Sequence, residues 1–188
     1  LDQLEWLVEH TFSYRDLTGV DVPAAFDSLR AGLTDDLPLG AFATRVGQLL
    51  ALFGDGHTRL RGLEPLRPGG YLPFLVADAD GRAFAFLADR SGALDAEFPY
   101  LVALDGKPLE YWLDLAGRAV AQGSPHWVRS RSMRDLRLWN AQRLEAGAQL
   151  TDHVNVTLAN AAGDTRELRL PLARTKPVYG PWPRTTEH

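Results

Sequence analysis

The sequence predicts an α+β protein: a small N-terminal helical bundle followed by a β-rich region with two hairpins and a two-helix insertion. Three observations predict it. Apolar residues recur at helical spacing through the first third of the chain and stop at Gly54. Beyond that point the period changes towards alternation, with Asp-Gly and Gly-Asp turn signals between the runs. Between the alternating segments lies a stretch, from Pro108 to about Ala146, where helical spacing returns.

The elements follow in order. Leu4, Leu7, Val8 and Phe12 share one face of a first helix. Pro23 suits a helical first turn, and Phe26, Leu29 and Leu33 follow at helical spacing. In a third helix, Asp35 and Asp36 favour the positive end, Pro38 opens it, and Leu39, Phe42, Val46, Leu49, Leu50 and Phe53 make a continuous stripe. Gly54 is placed to end it. Residues 58–63 read as a short strand. Residues 71–77 and 82–88 flank Asp78-Ala79-Asp80-Gly81, which predicts a hairpin with Phe84 and Phe86 on one face. A further strand spans Tyr100 to Leu104 and ends at Asp105-Gly106. Pro108 then opens a helix with Leu109, Trp112, Leu113 and Ala116 inward. A second helix is expected over 125–146, with Met133, Leu136, Trp139 (or Asn140) and Leu144 inward. Finally Val154, Val156 and Leu158 alternate with Asn155, Thr157 and Ala159. Leu168, Leu170 and Leu172 repeat the pattern after Gly163-Asp164, a second hairpin. The implied division is 1–57 as the bundle, 58–178 as the β-rich region, and 179–188 as a breaker-rich linker or truncated tail.

A chain of 188 residues, 45% apolar and 23% charged, can bury a real core and does not have a disordered composition. Its apolar runs are too short to span a bilayer, so no membrane insertion is expected. With a formal net charge of −4, nothing global draws it to nucleic acid. The cluster Arg129, Arg131, Arg134, Arg137 and Arg143, near Trp127 and Trp139, reads as a solvated helix face with a buried aromatic side. Cysteine is absent, which excludes disulfides, thiolate catalysis and Cys-based zinc sites. His10, His126, His153 and His188 lack metal-ligand spacing, and Pro68-Gly69-Gly70 lacks the lysine of a phosphate loop; neither metal nor cofactor is expected. The chain starts at Leu1 and its one methionine is Met133, so it reads as part of a longer protein.

The segment with most chemistry is Leu52-Phe53-Gly54-Asp55-Gly56-His57-Thr58. Two glycines around an aspartate demand a sharp turn, which delivers an imidazole to the loop end of a helix. Histidine takes and returns a proton near neutral pH, so His57 is a candidate general base and Asp55 a supporting turn residue. On spacing alone, the same pattern also describes a turn in which His57 merely satisfies local hydrogen bonds.

A helix ending in apolar-Gly-Asp-Gly-His-Thr, then a strand, resembles the tail-specific or C-terminal-processing serine peptidases, a family that includes the tricorn protease. The segment Tyr100–Leu104, Asp105-Gly106-Lys107-Pro108 is similar to the strand, Asp/Asn-Gly, linker and helix of that family's PDZ-like or pre-catalytic region. The resemblance covers most of the chain. It implies a tricorn-like branch in which the histidine at the position of His57 is general base to a serine on a later domain, with backbone N–H groups stabilising the oxyanion. The tricorn protease has a serine just before its histidine, where this chain has Gly56. Ser13, Ser28, Ser91, Ser124, Ser130 and Ser132 lie in no Gly-x-Ser-x-Gly elbow, and Lys107 and Lys176 lie in no motif. The resemblance therefore implies a nucleophile on a missing C-terminal catalytic domain, a peptide or protein substrate, a bacterial source, and an envelope, periplasmic or extracellular setting. The β-rich region lacks a Gly-Leu-Gly-Phe-type loop and reads either as a degenerate PDZ-like fold or as a β-structure with a long helical insertion. The alternative is a non-catalytic peptide- or protein-binding module on the same scaffold.

Overall fold

The computed structural model describes residues 1–180. The chain divides into two units: Leu1–Arg67 with Arg118–Val128, and Pro68–Gly117 with the chain from Arg129 onwards.

The first unit holds helices α1 (Asp2–Thr11), α2 (Val22–Ala31) and α3 (Leu39–Leu52). The start of α2 is fixed chemically: the Asp21 carboxylate accepts the Ala24 N–H at 3.0 Å, and Pro23 fills the first turn. Pro38 is the N-cap residue of α3, one position ahead of the helix it was expected to open. The core is Val8, Val22, Phe26, Leu29, Val46, Leu49, Leu50 and Phe53, with Phe12 meeting Phe53 edge-on at 5.6 Å. Each such buried side chain stabilises the bundle by about 1.5–3 kcal/mol. Two residues of the expected stripes are not inside. Leu7 is exposed because the packed face of α1 runs Leu1, Leu4, Val8, Phe12, and Leu7 falls to its side; Leu39, at the first position of α3, is exposed as well. Residues 58–63 are not a strand, since among the described residues no other strand pairs with them; Leu60 instead packs on the helical core.

The second unit is built on an antiparallel sheet. Its strands are β1 (Phe74–Ala79), β2 (Arg82–Leu87), β3 (Tyr100–Leu104), β4 (Lys107–Pro108), β5 (His153–Ala159) and β6 (Thr165–Pro171), in the order β1-β2-β3-β5-β6 with β4 also beside β3. Both expected hairpins form. In the first, Asp80 and Gly81 take φ of 53° and 79°, the two positive angles of a tight two-residue turn. In the second, His153 pairs with Pro171 and Ala159 with Thr165, and the Asn160 side-chain oxygen accepts the N–H groups of Ala162 and Asp164 at 2.9 Å each. A bridge between Tyr71 and Ala173 joins the lead-in of β1 to the exit of β6.

Against this sheet lie α4 (Leu109–Gly117) and α6 (Trp139–Glu145), with the end of α5 (Pro125–Asp135). Leu109, Trp112, Leu113 and Ala116 are buried as the spacing predicts. The Trp112 indole N–H donates to the Leu104 carbonyl at 2.9 Å, and its ring meets Trp139 at 4.5 Å. The single helix expected over 125–146 is broken between α5 and α6. The break frees backbone groups for the segment before β1: the Arg137 carbonyl accepts from Leu72 at 3.1 Å, and the Asn140 N–H donates to Gly70 at 3.1 Å. The Asn140 side chain then donates to Gly69 and Thr151 at 2.7 and 3.1 Å. Met133, Leu136, Trp139 and Asn140 are buried, while Leu144 is exposed near the end of the short α6.

The arginines are not simply a solvated face. Arg129 pairs with Glu110 at 2.7 Å, Arg143 with Asp105, and Arg137 donates to the Pro177 carbonyl at 2.9 Å. Arg134 and Arg137 both lie over the Tyr179 ring. Tyr179 itself is anchored. Its hydroxyl donates to the Val76 carbonyl at 2.8 Å and accepts the Val76 N–H at 3.0 Å, satisfying β1 on the side away from β2. Burial pushes the Tyr179 phenol up to about 12. The expected tail over 179–188 is described as far as Gly180; residues 181–188 lie outside the described residues.

Candidate functional site

The turn after α3 is held from several directions. Phe53 is buried in the bundle core and fixes the end of the helix. Gly54 follows at φ 69°, a left-handed conformation that glycine adopts without strain. A β-carbon there would lie 2.9 Å from the Gln122 carbonyl oxygen, so this position has no room for a side chain. The same neighbouring segment donates the Gln122 N–H to the Ala51 carbonyl at 2.9 Å.

Asp55 organises the rest. One carboxylate oxygen accepts the His57 backbone N–H at 2.9 Å and lies 3.3 Å from the His57 Nδ1. The other accepts the Thr58 hydroxyl at 2.6 Å, and the Asp55 carbonyl accepts the Thr58 N–H at 3.1 Å. These donors, the Thr58 hydroxyl foremost and the His57 N–H next, hold the Asp55 carboxyl below its ordinary value. The structure thus brings together His57 and Asp55, the two residues singled out in the sequence. It leaves the His57 side chain fully exposed to solvent.

A proton on Nδ1, directed at the Asp55 carboxylate, leaves Nε2 as the basic nitrogen. Such a ring can accept a proton from an incoming hydroxyl. No serine hydroxyl among the described residues hydrogen-bonds to it. Ser28 lies in α2, Ser124 accepts the Trp127 N–H at 3.2 Å, and Ser132 is buried. By contrast, His153 is occupied by its surroundings, with Asp152 at 2.9 Å, the Thr151 hydroxyl at 3.2 Å and Arg169 at 3.3 Å. Among the described residues there is no group of three or more His, Asp or Glu side chains placed to hold a metal ion.

Sequence spacing does not reveal the neighbours of the turn. A β-carbon on Gly56 would stand 3.8 Å from the Trp127 ring, and one on Gly123 would stand 3.4 Å from it. Trp127 lies 71 residues beyond Gly56 in the chain, and no periodic pattern links the two.

By sequence, neither a family model nor a characterised protein matches this chain. By structure, it is similar to CPAF, a chlamydial serine protease resembling the tail-specific proteases. Against the crystal structure of a serine-to-alanine CPAF mutant the TM-score is 0.68 at 18% identity, over 93% of this chain and 33% of that one. Mature CPAF gives 0.64 at 16% identity, over 91% and 33%. Mature CPAF complexed with lactacystin gives 0.63 at 16% identity, over 95% and 35%. The chain therefore spans about a third of the length of the chains it matches. At this level of identity the likeness to CPAF is one of fold alone.

Proposed function

We propose that this chain is one part of a serine peptidase resembling the tail-specific proteases, and that His57 is its general base. The serine nucleophile would be carried outside the described residues, on a C-terminal catalytic domain, and the substrate would be a peptide or protein. The observation that carries this reading is the Asp55-held turn. It presents a fully exposed imidazole on a chain whose fold matches CPAF over 93% of its length. In the reaction, His57 would take the serine hydroxyl proton as the oxygen attacks the peptide carbonyl. It would then return that proton to the leaving amine. Asp55 would fix the ring orientation and favour the imidazolium formed between the two steps. The tricorn-like assignment rests on His57 and its flanking Gly54, Asp55, Gly56 and Thr58.

The test is His57→Ala in the full protein that carries this chain, with peptide hydrolysis as the readout. The expected loss in kcat is ~10²-fold or more, the usual contribution of a general base. Activity within a few-fold of wild type would remove His57 from that role. The full exposure of the ring favours a second reading, a peptide- or protein-binding module that does not cleave. That reading predicts saturable binding of unstructured peptides that remain intact after prolonged incubation.

A further inference from the structure

We infer that Thr58 is a positioning residue for His57, acting through the Asp55 carboxylate; this rests on the peptidase reading above. The carboxylate has two oxygens, and the turn gives each a separate task. One accepts the His57 backbone N–H at 2.9 Å and faces the His57 Nδ1 at 3.3 Å. The other accepts the Thr58 hydroxyl at 2.6 Å. A carboxylate turns easily about the bond to its β-carbon, because that torsion has only broad preferences. A donor on each oxygen fixes its plane.

The imidazole has little else to hold it. Its side chain is fully exposed, and among the described residues Asp55 is the group that hydrogen-bonds it. The ring's orientation therefore depends on where one Asp55 oxygen points, and that depends on what holds the other. Thr58 is suited to the task. It is half-buried, the Asp55 carbonyl accepts its N–H at 3.1 Å, and Leu60, two residues on, packs against the bundle core. Branching at its β-carbon restricts the direction of the hydroxyl. A hydroxyl 2.6 Å from an ionised carboxylate is in the short range of charge-assisted bonds. The line of support runs from the core through Leu60 and Thr58 to Asp55, and from Asp55 to the ring. A hydroxyl that merely closed the turn would affect stability and leave the ring where it is.

Catalysis is sensitive to such placement, since a displacement of about 1 Å costs up to ~10²-fold. The experiment uses the full protein with Thr58→Val, which keeps the branched shape without the hydroxyl, and Thr58→Ser, which keeps the hydroxyl. His57→Ala is the reference, and histidine ring NMR accompanies the kinetics. Thr58→Val should lower kcat by about threefold to thirtyfold with KM within about twofold, and Thr58→Ser should recover most of it. The His57 ring signal, assigned by its loss in His57→Ala, should move in Thr58→Val and return towards its original position in Thr58→Ser. Adding Thr58→Val to Asp55→Ala should lower kcat no further than Asp55→Ala alone, because the hydroxyl acts through that carboxylate. An unchanged kcat with an unmoved signal would overturn the inference, as would equal losses in Thr58→Val and Thr58→Ser. A loss confined to KM, or one that adds fully to that of Asp55→Ala, would overturn it too, because Thr58 would then act by another route. If His57→Ala leaves activity intact, the peptidase role of His57 fails; the ring signal alone then decides whether Thr58 positions the imidazole.

Discussion

At Asp105-Gly106 the aspartate carboxylate turns into the protein, whereas at Gly54-Asp55-Gly56 it stays on its own loop. Asp105 takes φ 46° and Gly106 φ 72°, a tight turn between β3 and β4. One Asp105 oxygen accepts the Asn155 N–H at 2.9 Å on β5, and the Arg143 guanidinium of α6 pairs with the other. The Asp105 and Arg143 side chains are only 14% and 15% exposed. That carboxylate ties a turn to a neighbouring strand and to a helix. Among the described residues the Asp55 carboxylate binds His57 and Thr58 alone, within three residues, and the imidazole beside it is fully exposed. Two similar turn sequences thus serve different ends. One holds the fold together, and the other holds a proton-active group out to solvent.

The comparison breaks most readily at Asp105. Replacing it with alanine leaves the Arg143 guanidinium without its counter-charge and the Asn155 N–H without its acceptor, at a strained positive φ. The expected cost is about 3 kcal/mol, near the low end for breaking a mostly buried ion pair. The midpoint of urea unfolding should fall with its slope unchanged. A loss under about 1 kcal/mol would mean the pair holds little, as exposed pairs do.

Next comes Gly54→Ala. It places a β-carbon in the left-handed region and 2.9 Å from the Gln122 oxygen, which is backbone and yields little. We expect a loss of about 2 kcal/mol. The His57 and Thr58 amide signals should shift with it. Stability equal to wild type would show that the turn and residues 122–127 are not in register.

How far the sequence disclosed these features depended on range. The hairpin at Asp80-Gly81, the strand Tyr100–Leu104 and the alternation of 154–158 depend on neighbours in sequence, and all three could be read there. So could the nearness of Asp55 to His57, because two residues of a tight turn cannot be far apart. The break between α5 and α6 could not be read. Its cause is Leu72 and Gly70 reaching backbone groups near residues 137–140 from more than 60 residues away. Residues 58–63 carried a strand-like composition but have no strand beside them among the described residues, and a strand is defined by its partner. The Arg143–Asp105 pair and the nearness of Trp127 to Gly56 were hidden for the same reason.

Asp55→Ala should cost the fold less, about 0.5–1 kcal/mol, because the bonds it removes are local and partly exposed. Its effect should fall on His57. The wild-type carboxyl is held below its ordinary value, so the clamp is fully present above about pH 4. It is lost as pH falls through the depressed folded-state value, since an unfolded turn binds the proton more readily than the folded one. Amide signals of His57 and Thr58 should therefore titrate together below pH ~4. In Asp55→Ala that step should vanish. A step that persists would assign it to another carboxylate.

The smallest effect is expected at Gly56, two residues from Gly54 in the same turn. It is not among the residues of positive φ, and a β-carbon there meets only the Trp127 ring, at an ordinary contact distance of 3.8 Å. Gly56→Ser should change stability by no more than about 0.5 kcal/mol, the usual range for a surface substitution without a special backbone demand. The contrast with Gly54→Ala would show that only one of the two glycines is required by the backbone. A loss as large as that of Gly54→Ala would mean that Trp127 presses on the turn more tightly than the static distance implies.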